Sequence, residues 1–170
     1  MKMFIALLTV FLISGATLIP EKSVSFWKKA DKNLERIFKG KIITKKVVEL
    51  SEIELAAGKF KNNGIYLLVS ADETLGYLVF ASSMGRYETF EYMVVYNPGL
   101  SVKEIDILNY TSSHGGEIAS QKWLKQFVGY EGKHLKYGSD IDAITGATYS
   151  AVSLVKDVEA ITIFMKKIKH

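Results

Sequence analysis

The sequence predicts an α+β domain: an antiparallel β-meander packed with helices, following an N-terminal apolar targeting or anchor helix. Apolar residues recur at helical spacing before residue 40 and again after residue 150. Between them lie β-branched and aromatic stretches separated by short turns. Ahead of both, Met3 to Pro20 carries no charge. With 170 residues the chain holds one domain's worth of core. Its expected parts are residues 1–20, a signal peptide or membrane anchor; 21–63, an N-terminal helical region; and 64–170, the core of the domain.

The apolar leader begins with Met1-Lys2, and Lys2 holds the start in the cytoplasm by the positive-inside rule. Ser14-Gly15-Ala16 supplies the small residues a signal peptidase reads. The run is equally as long as the ~18 apolar residues that let a helix span a bilayer. Cleavage and retention both stay open, and either places the remainder outside the cytoplasm.

From Phe26 to Phe38 the positions Phe26, Trp27, Ala30, Leu34, Ile37 and Phe38 form a helical stripe that Gly40 ends. Ser51 and Glu54 have the spacing of a capping box, which predicts a second short helix to about Gly58. The period then changes. Strands are expected at Ile65–Val69, Tyr77–Ser82, Tyr87–Tyr96 and Val102–Tyr110, punctuated by Asn62-Asn63-Gly64, Asp72 to Gly76, Gly85 and Asn97-Pro98-Gly99. Phe90, Tyr92, Val94 and Tyr96 share one face. Ile105 and Ile107 alternate with Glu104 and Asp106, which predicts a sheet with one solvated side. Ala119, Trp123 and Phe127 then sit four apart with Leu124 beside them, a helix closed by Gly129. Ala151, Leu154, Val155, Val158, Ile161, Met165 and Ile168 give the last helix.

Composition excludes whole classes of function. Hydrophobic residues at 48 % and charged residues at 24 % describe a globular chain rather than a disordered one. The lack of cysteine removes disulfide scaffolds, thiolate zinc sites, iron–sulfur clusters, c-type haem and thiol catalysis. Lys+Arg of 22 against Asp+Glu of 18 gives +4, but only Arg36 and Arg86 are arginines and the lysines are dispersed, so nucleic acid is not an expected partner. No phosphate loop or dinucleotide fingerprint follows a strand. His114, His134 and His170 lack metal-ligand spacing, and no metal site is expected.

The stretch Asp142 to Ser150 is where chemistry concentrates. Thr145, Thr148 and Ser150 surround Gly146-Ala147 where a loop becomes a long helix. Amide donors and the positive end of the helix dipole suit a phosphate there, and small side chains let it approach. Taken alone, Thr148 or Ser150 reads equally as an N-cap.

Asp142-Ala143-Ile144-Thr145-Gly146-Ala147-Thr148 resembles the flavinylation motif Asp-x-x-(Ser/Thr)-Gly-Ala-Thr. That motif belongs to the FMN-binding domains found in the sodium-translocating NADH:quinone reductase and in the Rnf complex. Ser14-Gly15-Ala16-Thr17 repeats the last four positions by chance, without the aspartate. His114-Gly115-Gly116-Glu117-Ile118, then Trp123 and Gln126-Phe127-Val128-Gly129, resembles the turn and helix that precede the motif in short single-domain members, over a resemblance spanning about Glu88 to Ile161. Gly115-Gly116 replaces the Thr-Pro-Gly-Leu-Gly turn of the larger members.

The resemblance implies FMN joined to Thr148 by a phosphoester, made from FAD by a Mg²⁺-dependent flavin transferase outside the cytoplasm. It implies Asp142 and Thr145 as recognition or phosphate-site residues, and Gly146 and Ala147 as the close-approach pair. Tyr149, Trp123 and Phe127 are candidates to line the ring, or else ordinary core aromatics. Ser150 adds a hydroxyl at the same junction, while His114, Gly116 and Glu117 belong to the turn whose side chains could meet the phosphate or the ring. The expected protein is an extracytoplasmic electron carrier at the membrane, served by a membrane electron-transfer protein. Its rivals are a flavin-dependent reductase of a small substrate and a cofactor-free secreted binding module.

Overall fold

The strand-forming residues of the middle of the chain make one five-stranded antiparallel sheet in simple order. The computed structural model describes residues 24–51, 64–112 and 115–168; the expected leader at 1–20 and the helix expected after Ser51 lie outside them. The strands are β1 (Thr44–Val47), β2 (Ile65–Ser70), β3 (Glu73–Met84), β4 (Thr89–Tyr96) and β5 (Val102–Asn109). Strand β1 was not expected, because Lys45 and Lys46 interrupt any apolar alternation. It is an edge strand, mostly exposed, that pairs Lys45 with Leu68 and Lys46 with Leu67.

Two turns differ from expectation. Strand β3 begins at Glu73, so the turn expected over Asp72 to Gly76 shrinks to Ala71 and Asp72, with Ala71 left-handed at φ 50°. Gly76 sits inside the strand at φ 138°, where a Cβ would lie 1.9 Å from the carbonyl oxygen of Tyr96. Strand β4 begins at Thr89 rather than Tyr87, which leaves 85–88 as a turn closed by the Gly85 amide donating to the Glu88 carbonyl at 2.8 Å.

Both faces of the sheet are covered, which corrects the expected solvated side. One face presents Val79, Phe90, Tyr92, Val94, Tyr96, Ile105 and Ile107 to the last helix, α3 (Thr148–Ile168), whose Ala151, Leu154, Val155, Val158, Ile161 and Met165 fill the same core. The other presents Tyr66, Leu68, Leu78, Phe80, Met93 and Val95 to α1 (Val24–Phe38). Phe26, Ala30 and Leu34 are buried there, and the Trp27 ring stands edge-on to Phe80 at 5.0 Å. Each large apolar side chain so buried stabilises by roughly 1.5–3 kcal/mol, so the stripe of α1 is spent on the sheet. Glu104 and Asp106 look polar and outward-facing in sequence because their partner is Arg36 on α1, which pairs with both, reaching Asp106 at 3.2 Å.

The helix expected through Ala119, Trp123 and Phe127 is broken. A 3₁₀ turn (Gly116–Ala119) is followed by extended Ser120, a single turn α2 (Gln121–Leu124) and a second 3₁₀ turn (Lys125–Phe127). The extended residue resets the phase, so Ile118 rather than Ala119 turns inward with Trp123 and Phe127.

The elements share two ends. α1 runs against β5, because Lys29 Nζ donates to the Leu108 carbonyl at 3.0 Å while Arg36 reaches Glu104. α3 starts beside Tyr110, with Ser150 Oγ 3.3 Å from its hydroxyl, and Thr162 meets the Tyr96 hydroxyl at 2.9 Å three turns later. One end of the sheet therefore gathers the starts of α1 and α3, the 85–88 turn and the exit of β5. The opposite end holds the turns at 71–72 and 97–101.

Burial raises the Asp106 carboxyl to about 6, with the Glu104 charge adding to the rise and Arg36 and the Gln121 hydrogen bond opposing it. The folded state therefore holds a proton that the unfolded chain has released, and stability falls as pH rises from about 4 to about 6. Asp106→Asn is expected to flatten that fall. Denaturant unfolding of both proteins from pH 4 to 7.5 measures it.

Candidate functional site

Residues 137–147 approach α3 along a backbone held from several sides. The Ile144 amide donates to the Tyr137 hydroxyl at 2.8 Å, and the Gly138 amide to the Ile141 carbonyl at 2.7 Å. The Asp142 amide donates to Gln126 Oε1 at 2.9 Å, and its carbonyl accepts from Trp123 Nε1 at 2.8 Å. Ile141, Ile144 and Ala147 are buried at every third position, so Asp142, Thr145, Gly146 and Thr148 are turned outward. Gly146 makes the last bend at φ 83°, a left-handed conformation that glycine adopts without steric cost.

Neither Thr148 nor Ser150 is the N-cap of α3. The Ala151 amide donates to the Ala147 carbonyl at 2.9 Å, which makes Ala147 the cap and Thr148 the first helical residue. Alanine has no side-chain acceptor, so the amide donors of the first turn receive no help from the position that usually gives it. The Thr148 hydroxyl is exposed and makes one long bond, 3.4 Å, to the Ile144 carbonyl. Ser150 is buried, its Oγ 3.3 Å from the Tyr110 hydroxyl, so it is the less accessible of the two hydroxyls.

Thr148 opens into a cleft of about 720 Å³ bounded by residues 85–90, 110–112 and 146–150. That volume lies within the range of small-molecule sites. Gly146, Ala147, Thr148, Tyr149 and Ser150 line it as a group. Tyr149 projects at its mouth with 65 % of its surface exposed.

The other expected residues fall around the cleft rather than in it. Asp142 and Thr145 are exposed on the approach loop. Trp123 is a core aromatic, edge-on to Phe127 at 5.5 Å, and acts on the site by fixing the Asp142 carbonyl. Glu117 is exposed on the 3₁₀ turn, and His114 lies outside the described residues. Of the two glycines in that turn, Gly116 faces open space. Gly115 is the constrained one: at φ 80° a Cβ there would lie 2.8 Å from Ala147 Cβ and 3.0 Å from the Tyr110 hydroxyl.

The sequence reading missed the wall opposite α3. Arg86 lies 5.2 Å from the Tyr87 ring centroid and 5.7 Å from that of Tyr149, so one guanidinium bridges the turn and the helix. Among the described residues no carboxylate pairs with it. Glu88 instead accepts from the Thr111 hydroxyl. The available signal was weak: a charged and aromatic run directly after Gly85, with one of only two arginines in the chain.

The donor set fits an anion joined to a planar ring. The positive end of a 21-residue helix on one wall and the Arg86 cation on the other face the same cleft, and Tyr87 and Tyr149 line it. FMN has that composition, a phosphate at one end and an isoalloxazine at the other. The family model of the FMN-binding domain matches residues 85–162. No curated protein matches the chain.

The tight contact makes a sharp comparison between adjacent glycines. Gly115→Ala forces a left-handed alanine into Ala147 and is expected to cost roughly 2–4 kcal/mol. Gly116→Ala is expected to stay within about 0.5 kcal/mol of the parent. Urea unfolding of the two variants reads the difference.

Proposed function

We propose that the chain, whose residues 85–162 match the family model of the FMN-binding domain, is an extracytoplasmic electron carrier whose FMN is esterified to Thr148. One observation carries the attachment site. Thr148 is an exposed residue in the first turn of a long helix whose cap position is Ala147, lining a cleft, while the neighbouring Ser150 is buried.

In this reading the Thr148 oxygen forms the phosphoester and gives up its proton. The bond broken is the pyrophosphate linkage of FAD, AMP leaves, and no electrons move. A Mg²⁺-dependent flavin transferase is the partner that performs this step. Gly146 and Ala147 keep the approach clear, and the first-turn amides and Arg86 balance the remaining phosphate charge. Tyr149 and Tyr87 supply faces for the ring.

When bound, isoalloxazine accepts and releases one or two electrons, and the chain sets only its position, exposure and surroundings. A carrier role is supported by the shallowness of the site, since both flanking tyrosines are largely exposed. A reductase of a small substrate needs a proton donor against the ring, and Glu88, the acid in the cleft wall, is engaged with Thr111. The uncharged leader supports a position outside the cytoplasm, where a membrane electron-transfer protein supplies the electrons.

Co-expression with a flavin transferase, denaturation and peptide mass spectrometry test the assignment. The expected result is FMN retained on the peptide containing Thr148, kept by Thr148→Ser and lost in Thr148→Ala. Flavin surviving Thr148→Ala on Ser150 would overturn the acceptor, and an unmodified parent chain would overturn the function.

A further inference from the structure

We infer that the cleft end of the domain rests on the lipid bilayer itself, with Met84, Tyr87 and Tyr149 in the interface. The inference rests on the extracytoplasmic reading above and on retention of residues 3–20 as an anchor.

The tether comes first. Only Glu21, Lys22 and Ser23 separate Pro20 from the start of α1. Fully extended chain covers at most about 3.6 Å per residue, so the first turn of α1 lies within about 15 Å of the end of the apolar run. That first turn stands at the cleft end, because Phe26 packs on Phe80 and Lys29 reaches Leu108, close to where β5 runs out into the cleft wall at 110–112. The other end of α1 is about 22 Å further along the helix axis. An anchor of this length therefore fixes which end of the sheet faces the membrane.

The surface at that end suits an interface. Met84, Tyr87 and Tyr149 are exposed by 57 %, 81 % and 65 %. Tyr87 and Tyr149 both line the cleft, and Met84 closes β3 directly before the 85–88 turn, so all three lie at the same end of the sheet. Tyrosine partitions to the headgroup region with its ring on the apolar side. The charges are mixed: exposed Lys28 and Arg86 stand with Glu88. Apolar and aromatic contact therefore carries the docking, and anionic lipid is not required. The consequence is that a flavin on Thr148 meets its partner in the plane of the bilayer and not from the aqueous side.

The chain has no cysteine, so single labels are unambiguous. The full chain is placed in zwitterionic phosphatidylcholine nanodiscs with a fluorophore on Tyr87→Cys or Met84→Cys, and on Asp72→Cys or Gly99→Cys at the far end. Quencher-bearing lipids are expected to remove most emission from positions 84 and 87 and none from 72 and 99. Equal quenching at both ends, or none at 84 and 87, overturns the inference, as does an exported chain whose mass lacks Met1 to Ala16. Quenching that appears only after a membrane protein partner is added also overturns it, since the occupant is then protein. The same measurement on flavin-free Thr148→Ala is expected to be unchanged, so failure of docking and failure of flavin attachment are read separately.

Discussion

The first turn of α3 packs directly on backbone, and the whole site follows from that approach. Gly115 meets Ala147 on one side, and on the other Gly85 leaves its place to Ser150 Oγ and the Glu88 carbonyl, each 3.0 Å from where a Cβ would stand. These positions lack bulk because the helix start is wedged between the exit of β5 and the tip of the β3–β4 turn. Larger residues would lift α3 away from the sheet and unpack Ala151 and Leu154 from the core beneath it. The wedge also separates the two hydroxyls. Ser150 is buried beside the Tyr110 hydroxyl, while Thr148, about half a turn earlier, is exposed at the cleft.

Much of this was legible because periodicity and turn chemistry report local choices. The stripe from Ala151 to Met165 and the alternation from Phe90 to Tyr96 stated which faces are buried, and the structure buries them. What the sequence concealed were partnerships between distant segments. Glu104 and Asp106 read as solvent-facing because nothing near them shows that Arg36, some seventy positions earlier, lies across the sheet. The broken helix at Ser120 was equally hidden, since Ala119, Trp123 and Phe127 keep a regular spacing whichever residue resets the phase. Strand β1 has two lysines on an exposed edge and is a strand only because β2 offers it hydrogen bonds.

The site divides in the same way. Its contiguous part, Gly146 to Ser150, was visible as small and hydroxyl-bearing residues at a loop-to-helix junction. Its other wall comes from residues 85–90 and 110–112, which are separate in sequence and carry no motif. Trp123 shows how an aromatic near a motif misleads. Its indole serves the site through one hydrogen bond to the Asp142 backbone while its ring fills the core. Proximity in sequence marked its importance but not its role.

The openness of the cleft is the physical argument for the proposed covalent attachment. Drug-sized ligands held without such a bond usually have most of their surface buried. Here the walls end in tyrosines that are themselves mostly exposed, so a ring lying between them keeps much of its surface outside. An open site also suits electron exchange, which needs the ring near a partner. Ligand loss is the corresponding weakness, because translational freedom strongly favours release from a shallow site. The phosphoester proposed at Thr148 would remove that freedom without adding a wall. On that proposal the affinity problem is met at one hydroxyl, and the rest of the cleft stays open.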